Sequence, residues 1–217
     1  MRALNTVVAV AALVVVGPVA CAAPSGPGAE EGAAYLGLTV GTSFTYATST
    51  GTSETHELVN SDLQQLGALT VGLKATENGF AVDERSLTFG IDVKEASLMR
   101  FFNCLDRCAT SDVPISFVQW PLEEGQRTEG EGTITESRGG EVVQTRRERH
   151  ATTVGALADV TVPAGTFPAH IVTWSRTTID GVGVEVGIDT TVLQWAPDVG
   201  IVRAEYDDGF TIELSSR

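Results

Sequence analysis

Four two-residue turn signals, set between long β-prone stretches, constrain this chain more than any other feature. Asn78-Gly79, Gly139-Gly140, Asp180-Gly181 and Asp208-Gly209 suit tight hairpin turns, which need positive φ at their centre. Glycine reaches that region freely, and Asn and Asp reach it at small cost. Each pair is flanked by segments rich in Val, Ile, Thr, Phe and Tyr. In one of them Val184, Val186, Ile188, Thr190 and Val192 alternate with Glu185, Gly187, Asp189, Thr191 and Leu193, a period of two. Further strand-like stretches are 42–49, 54–60, 67–76, 80–91, 129–138, 141–153, 157–162, 167–179 and 199–214. Long hairpins in succession predict a mainly β fold. Its expected form is one strongly curved antiparallel sheet, a half-barrel or partly closed barrel, with little helix. Residues 61–69 have room for a helical turn or two. Residues 95–105 space Leu98, Phe101, Phe102 and Leu105 almost helically, yet fit a strand nearly as well.

The N-terminus carries an address. Met1-Arg2 is a short positive start, residues 7–16 are uncharged and apolar, and Val19-Ala20 ends the run in small residues. That run is too short to span a bilayer and fits a secretory signal. Val19, Ala20 and Cys21 resemble the bacterial lipobox, with Pro18 in its first position. The resemblance implies a signal peptide over 1–20 and a lipid, palmitate included, on Cys21. An ordinary signal cut near Ala20 or Ala23 is the alternative. Ala22, where Asp would imply inner-membrane retention, favours the outer membrane over the inner. Residues 21–34 then read as the lipidated Cys and a flexible tether, since 22–34 hold almost no large apolar side chain. Residues 35–217 form a single antiparallel β domain by size.

Charge narrows the partners. The chain has 14 basic and 28 acidic residues, and 1–20 hold one basic and no acidic residue. Such a balance argues against nucleic acid, which needs clustered positive charge. Cys104 and Cys108 remain after Cys21. For an exported chain the leading reading is a local disulfide, with free thiols next; a metal pair or redox pair lacks the right spacing.

Three segments resemble a set of uncharacterised bacterial envelope lipoproteins. Tyr35 to Tyr46 (YLGLTVGTSFTY) resembles their Y-x-P-L-x-x-G-x-x-W-x-Y opening, with Gly37 for Pro and Phe44 for Trp. Val160 to Phe167 (VTVPAGTF) resembles their V-P-A-G-T-F segment, and Trp195 to Arg203 (WAPDVGIVR) their A-P-G-V-G-x-V segment, with Asp198 for Gly. The resemblance implies a curved sheet of the LolA-like half-barrel kind and no established enzymatic activity.

The residues themselves supply no catalytic constellation. There is no nucleophile elbow, phosphate loop or dinucleotide fingerprint, and His56-Glu57 has Asn60 where a zinc motif needs a second His. His56, His150 and His170 read as ordinary strand histidines, with a three-His metal site as the sharper alternative. No cofactor, metal or enzyme activity is expected. Arg146, Arg147, Arg149 and His150 face Glu129, Glu131 and Glu136 across the Gly139-Gly140 turn, a charge-laced ribbon expected to project or to form an edge. Phe89, Phe101, Phe117, Trp120, Trp174 and Trp195 are candidates to line an apolar groove on the concave face, unless they pack on one another. The expectation is a lipid-anchored, non-enzymatic envelope protein, structural or making protein contacts. A carrier of a lipid or other hydrophobic ligand is the alternative.

Overall fold

The computed structural model describes residues 27–60, 69–82, 86–92, 95–99 and 107–217. Among them one helix, α1 (Pro27–Tyr35), precedes the strands β1 (Ser43–Thr48), β2 (Ser53–Asn60), β3 (Leu69–Glu77), β4 (Phe80–Ala81) and β5 (Leu87–Ile91). Then come β6 (Glu95–Met99), β7 (Arg107–Ser111), β8 (Ile115–Gln119), β9 (Arg127–Arg138) and β10 (Glu141–Val162). The last four are β11 (Gly165–Ile179), β12 (Glu185–Ala196), β13 (Gly200–Glu205) and β14 (Thr211–Ser216). They make one antiparallel sheet in the order β7-β9-β10-β11-β12-β13-β14-β1-β2-β3-β5-β6-β8, with β4 beside β3. The predicted β fold is present.

Alternation decides which face is the core. Phe44, Tyr46 and Thr48 of β1, His56 and Leu58 of β2, Val202 and Ala204 of β13, and Ile212 and Leu214 of β14 are all buried. Their neighbours along each strand face outward, as the pleat demands.

The sheet curls until its two ends meet without a ladder. β7 pairs with the far half of β9, from Arg107↔Arg138 to Ser111↔Ile134. The Asp112 N–H then donates to the Thr133 carbonyl (3.0 Å) and the Thr133 N–H to Asp112 Oδ1 (2.7 Å). Beyond that point the chain crosses the inner face of β9. A Cβ on Gly132 would lie 2.7 Å from Ser111 Oγ, and one on Gly130 2.8 Å from Ile115 Cγ2. Only glycine allows so close a crossing. The Thr128 hydroxyl donates to the Phe117 carbonyl (2.6 Å) and holds β8 in place. The barrel is nearly closed.

Several boundaries differ from the sequence reading. The tether expected over 22–34 becomes α1 from Pro27 onward, with Ala29, Ala33 and Leu36 buried. Its packing face is built of Ala and Gly, which bring backbone close to a partner, so the lack of large side chains misled. Gly37, at φ 69°, closes the helix: Gly37 N–H donates to the Ala34 carbonyl and Leu38 N–H to that of Ala33. Stretches 141–153 and 157–162 are one strand, irregular between Val154 and Leu157. Asn78-Gly79 and Gly139-Gly140 have both residues at positive φ, as expected. The β11–β12 turn instead places Gly183 at φ 87°, and Asp180 Oδ1 accepts from the N–H groups of Val182 and Val184. Glu95–Met99 is a strand, the ambiguity resolved by its ladder to β5. The helical turns expected within 61–69 fall, for 61–68, outside the described residues.

Candidate functional site

One end of the barrel is stoppered by α1. A Cβ on Gly32 would sit 2.5 Å from Trp120 Nε1, so the helix lies directly on that indole. Trp195 Nε1–H donates to the Leu36 carbonyl (2.9 Å), and the Asp198 N–H donates to the Tyr35 carbonyl (2.7 Å). The Tyr35 hydroxyl accepts from the Leu122 N–H (3.0 Å), while the Tyr46 hydroxyl donates to the Ile201 carbonyl (2.8 Å). The segments 35–46 and 195–203 thus lock together at this end. The 160–167 segment joins the same core through Val162 and, half-buried, Val160 and Phe167. These loops act as structural latches.

Five of the six groove candidates come together in one core among the described residues. Phe117 lies 5.9 Å from Phe89, 5.3 Å edge-on from Trp174 and 6.0 Å from Trp195, ring centre to ring centre. Phe89, Phe117 and Trp195 are buried, and Trp120 and Trp174 half-buried against the same core. Contacts of this kind add about 0.5–1.5 kcal/mol each beyond burial. These rings pack on one another where β8 crosses inward and glycines make room. Phe101 lies outside the described residues, as does Cys104; Cys108 is in β7, opposite Ser137, and its side chain is not described.

Burial also acts on the tyrosines. It pushes the Tyr35 hydroxyl up, against the Leu122 hydrogen bond, and pushes Tyr46 up strongly, helped by Tyr206 and Glu54. The folded protein therefore keeps protons that the unfolded chain releases. Stability from these groups is whole below about pH 10 and falls as pH rises past it. Tyrosinate absorbance in an alkaline titration is expected to lag for both residues until the domain unfolds. Normal titration of all three tyrosines in the folded protein would contradict this.

The inner face also carries polar groups, of which the sequence reading names His56, His150, Arg146 and Glu136 but not Glu54 or Glu148. Glu54 and His56 are buried on β2, with His56 Nε2 2.6 Å from Glu54 Oε1 and the imidazole 4.6 Å from the Tyr46 ring. A longer chain runs across β9, β10 and β11. Arg146 Nη1–H donates to Glu136 Oε1 (2.5 Å) and its Nε–H to Glu148 Oε1 (2.8 Å); Glu148 Oε2 lies 3.0 Å from His150 Nε2. Trp174 Nε1–H donates to His150 Nδ1 (3.0 Å). An indole N–H can only donate, so Nδ1 is the acceptor and Nε2 holds the proton given to Glu148. His150 is a neutral tautomer fixed from both sides. Burial works against the Arg146 charge, but Glu136 and Glu148 outweigh it and push its guanidinium up.

The network divides the predicted charge ribbon in two. Arg146 and His150 turn inward, and Glu148 opposite Gly132 and His150 opposite Gly130 are covered by the crossing chain. Arg147 and Arg149 stay outside. Arg147 binds Glu131, and Arg149 reaches both Glu131 Oε2 (3.4 Å) and Glu185 Oε1 (2.9 Å). The hydrogen bond from Arg147, with the nearby Arg charges, holds the Glu131 carboxyl below the usual range. The ribbon expected to project or to form an edge therefore has a core face as well, carrying Glu136, Glu148 and His150, and β9 is paired on both sides.

At the end away from α1, the β11–β12 arm runs past the rim. β13 ladders to β12 only from Val192↔Glu205 onward and then turns, its Tyr206 N–H donating to the Phe210 carbonyl. β12 continues to Glu185, and Val182, Val184, Val186 and Ile188 stand in solvent at 55–85% exposure. His170 Nδ1 lies 3.0 Å from the Gly155 carbonyl, far along β11 from this arm. Among the described residues no group of three or more His, Cys, Asp or Glu is placed to hold a metal ion.

No protein-family model matches the chain, and no curated protein matches it in sequence. Its fold is similar to that of a Bacteroides fragilis protein described as exported and as having a YmcC-like fold. That likeness has 14% identity and a TM-score of 0.52, and covers 82% of this chain and 95% of the other. A Parabacteroides distasonis chain described as a lipoprotein is similar at 16% identity and a TM-score of 0.54, over 84% and 97%. What these likenesses establish is a shared fold, a nearly closed barrel-like antiparallel sheet.

Proposed function

We propose that this chain is a lipid-anchored, non-enzymatic component of a bacterial cell envelope that works by contacting another protein. The observation that carries this reading is the distribution of apolar surface. Phe89, Phe117 and Trp195 are buried in the core, whereas the β11–β12 arm leaves a row of Val and Ile in water. Isolated exposed apolar residues are ordinary; a contiguous row of them marks an interaction site. The solved structures of similar fold are described as an exported protein and a lipoprotein, which supports the envelope assignment.

In the sequence Cys21 precedes α1 by only five residues, and α1 stoppers the end of the sheet away from the arm. Acyl chains add about 0.8 kcal/mol per buried methylene, so a multiply acylated Cys21 is a lasting anchor.

Replacing Cys21 by Ala is expected to abolish palmitate labelling and move the protein from the membrane pellet to the soluble fraction. Continued labelling, or retention in the pellet, would sink the lipoprotein reading. Density-gradient separation of wild-type membranes is expected to place the protein with the outer membrane. Because Phe117 packs against Phe89, Trp174 and Trp195, solvent extraction of the purified domain is expected to yield no lipid beyond the covalent one. A stoichiometric non-covalent lipid would restore the carrier reading.

A further inference from the structure

We infer that the free edge of β12, from Glu185 to Thr191, receives an extended, Lys- or Arg-bearing segment of a partner protein as an added strand. This rests on the protein-contact reading above and names the surface and the chemistry of its partner. Residues 185–191 are laddered to β11 on one side. On the other side no strand pairs with them among the described residues, because β13 ends at Glu205, opposite Val192. The row that β13 vacates is open for the length of an ordinary strand.

Such an edge is normally guarded by Lys, Pro or an inward charge. Here residues 182–191 (VGVEVGIDTT) contain no Lys, Arg or Pro. The two acids are drawn back onto the protein's own sheet. Glu185 binds Arg149, and Asp189 binds Arg176 through its Nε–H (2.9 Å). Val186 and Ile188, each 61% exposed, are left as the side chains an incoming strand would meet. Main-chain hydrogen bonds supply affinity in strand addition, and alternate side chains supply selectivity.

The charge of the slot selects the occupant. An added strand in the β13 row runs end-on into the turn that carries Glu205, Asp207 and Asp208. All three are exposed and have no ion-pair partner among the described residues. A second copy would bring its own Glu185 and Asp189 and no basic residue between 180 and 191 to meet them. Like charges placed opposite each other are destabilising. A basic segment answers the acidic turn, and an alternating Val, Ile or Thr pattern answers the apolar row.

The test selects linear seven-residue peptides from a random displayed library on the purified protein. Selected sequences are expected to be enriched in Lys or Arg at one end and in β-branched residues at alternate positions. Their affinity is expected to fall at least about tenfold at high salt, in the double variant Glu205→Gln/Asp207→Asn, and in Val186→Lys/Ile188→Lys. These positions are solvent-exposed, and unchanged circular dichroism would show that the variants fold. Failure to select any binder, acidic or neutral binders, or binders indifferent to both variants would overturn the inference. A dimer in sedimentation that Val186→Lys/Ile188→Lys dissociates would also overturn it, giving the edge to a second copy. None of these readouts depends on Cys21, so the edge and the anchor fail or stand separately.

Discussion

Trp195→Ala is expected to destabilise the domain by about 3–5 kcal/mol, measured as a fall in the denaturant midpoint. Trp195 is fully buried, packs against Phe117, and donates its indole N–H to the Leu36 carbonyl. Truncation leaves a large cavity at the centre of the core and an unsatisfied carbonyl just past α1. A domain of this size has roughly 5–15 kcal/mol to lose, so the variant sits near the threshold of folding. Trp195→Phe keeps most of the apolar area and forfeits the hydrogen bond, so its expected cost is smaller, about 1–3 kcal/mol. Because Leu36 anchors α1, both variants are also expected to speed protease cleavage within Pro27–Tyr35. A loss under about 1 kcal/mol for Trp195→Ala would mean the latch is not where the helix is held.

Glu148→Ala should cost a similar amount, about 3–5 kcal/mol, for an electrostatic reason. The carboxylate is fully buried between Arg146 and His150. Its removal leaves half the Arg146 charge unanswered and the His150 Nε2–H without the acceptor that fixes its tautomer. Glu148→Gln keeps the shape and an acceptor oxygen but not the charge, and is expected to fall between wild type and Glu148→Ala. Urea unfolding of the pair separates the charge from the hydrogen bond. Equal stability of wild type and Glu148→Ala would show that the network is decorative.

The network around Glu148 shows how far the sequence could be read. Period two in Arg146-Arg147-Glu148-Arg149-His150 already separates Arg146, Glu148 and His150 from Arg147 and Arg149. What it does not say is which set is covered. The signal was present one strand away, in Gly130 and Gly132, which sit opposite His150 and Glu148. Glycine at alternate positions of a strand marks close approach of another backbone, here the path from Ser111 to Ser116. The region 95–119 itself lacks turn pairs, so its three short strands left little pattern. The hairpins were legible because their turn geometry is local. The helix was missed because Ala and Gly pack by being small, which a search for bulky apolar side chains passes over. Five groove candidates share one core, and how their rings meet depends on where β8 crosses, a long-range fact.

The placement of α1 also bears on proteolysis. A protease must take an extended segment into its cleft, and from Pro27 the chain is wound into the stopper, with Gly32 against Trp120 and Leu36 against Trp195. A cut within Pro27–Tyr35 therefore requires α1 to unwind first, which uncorks the aromatic core and ties cleavage there to loss of the fold.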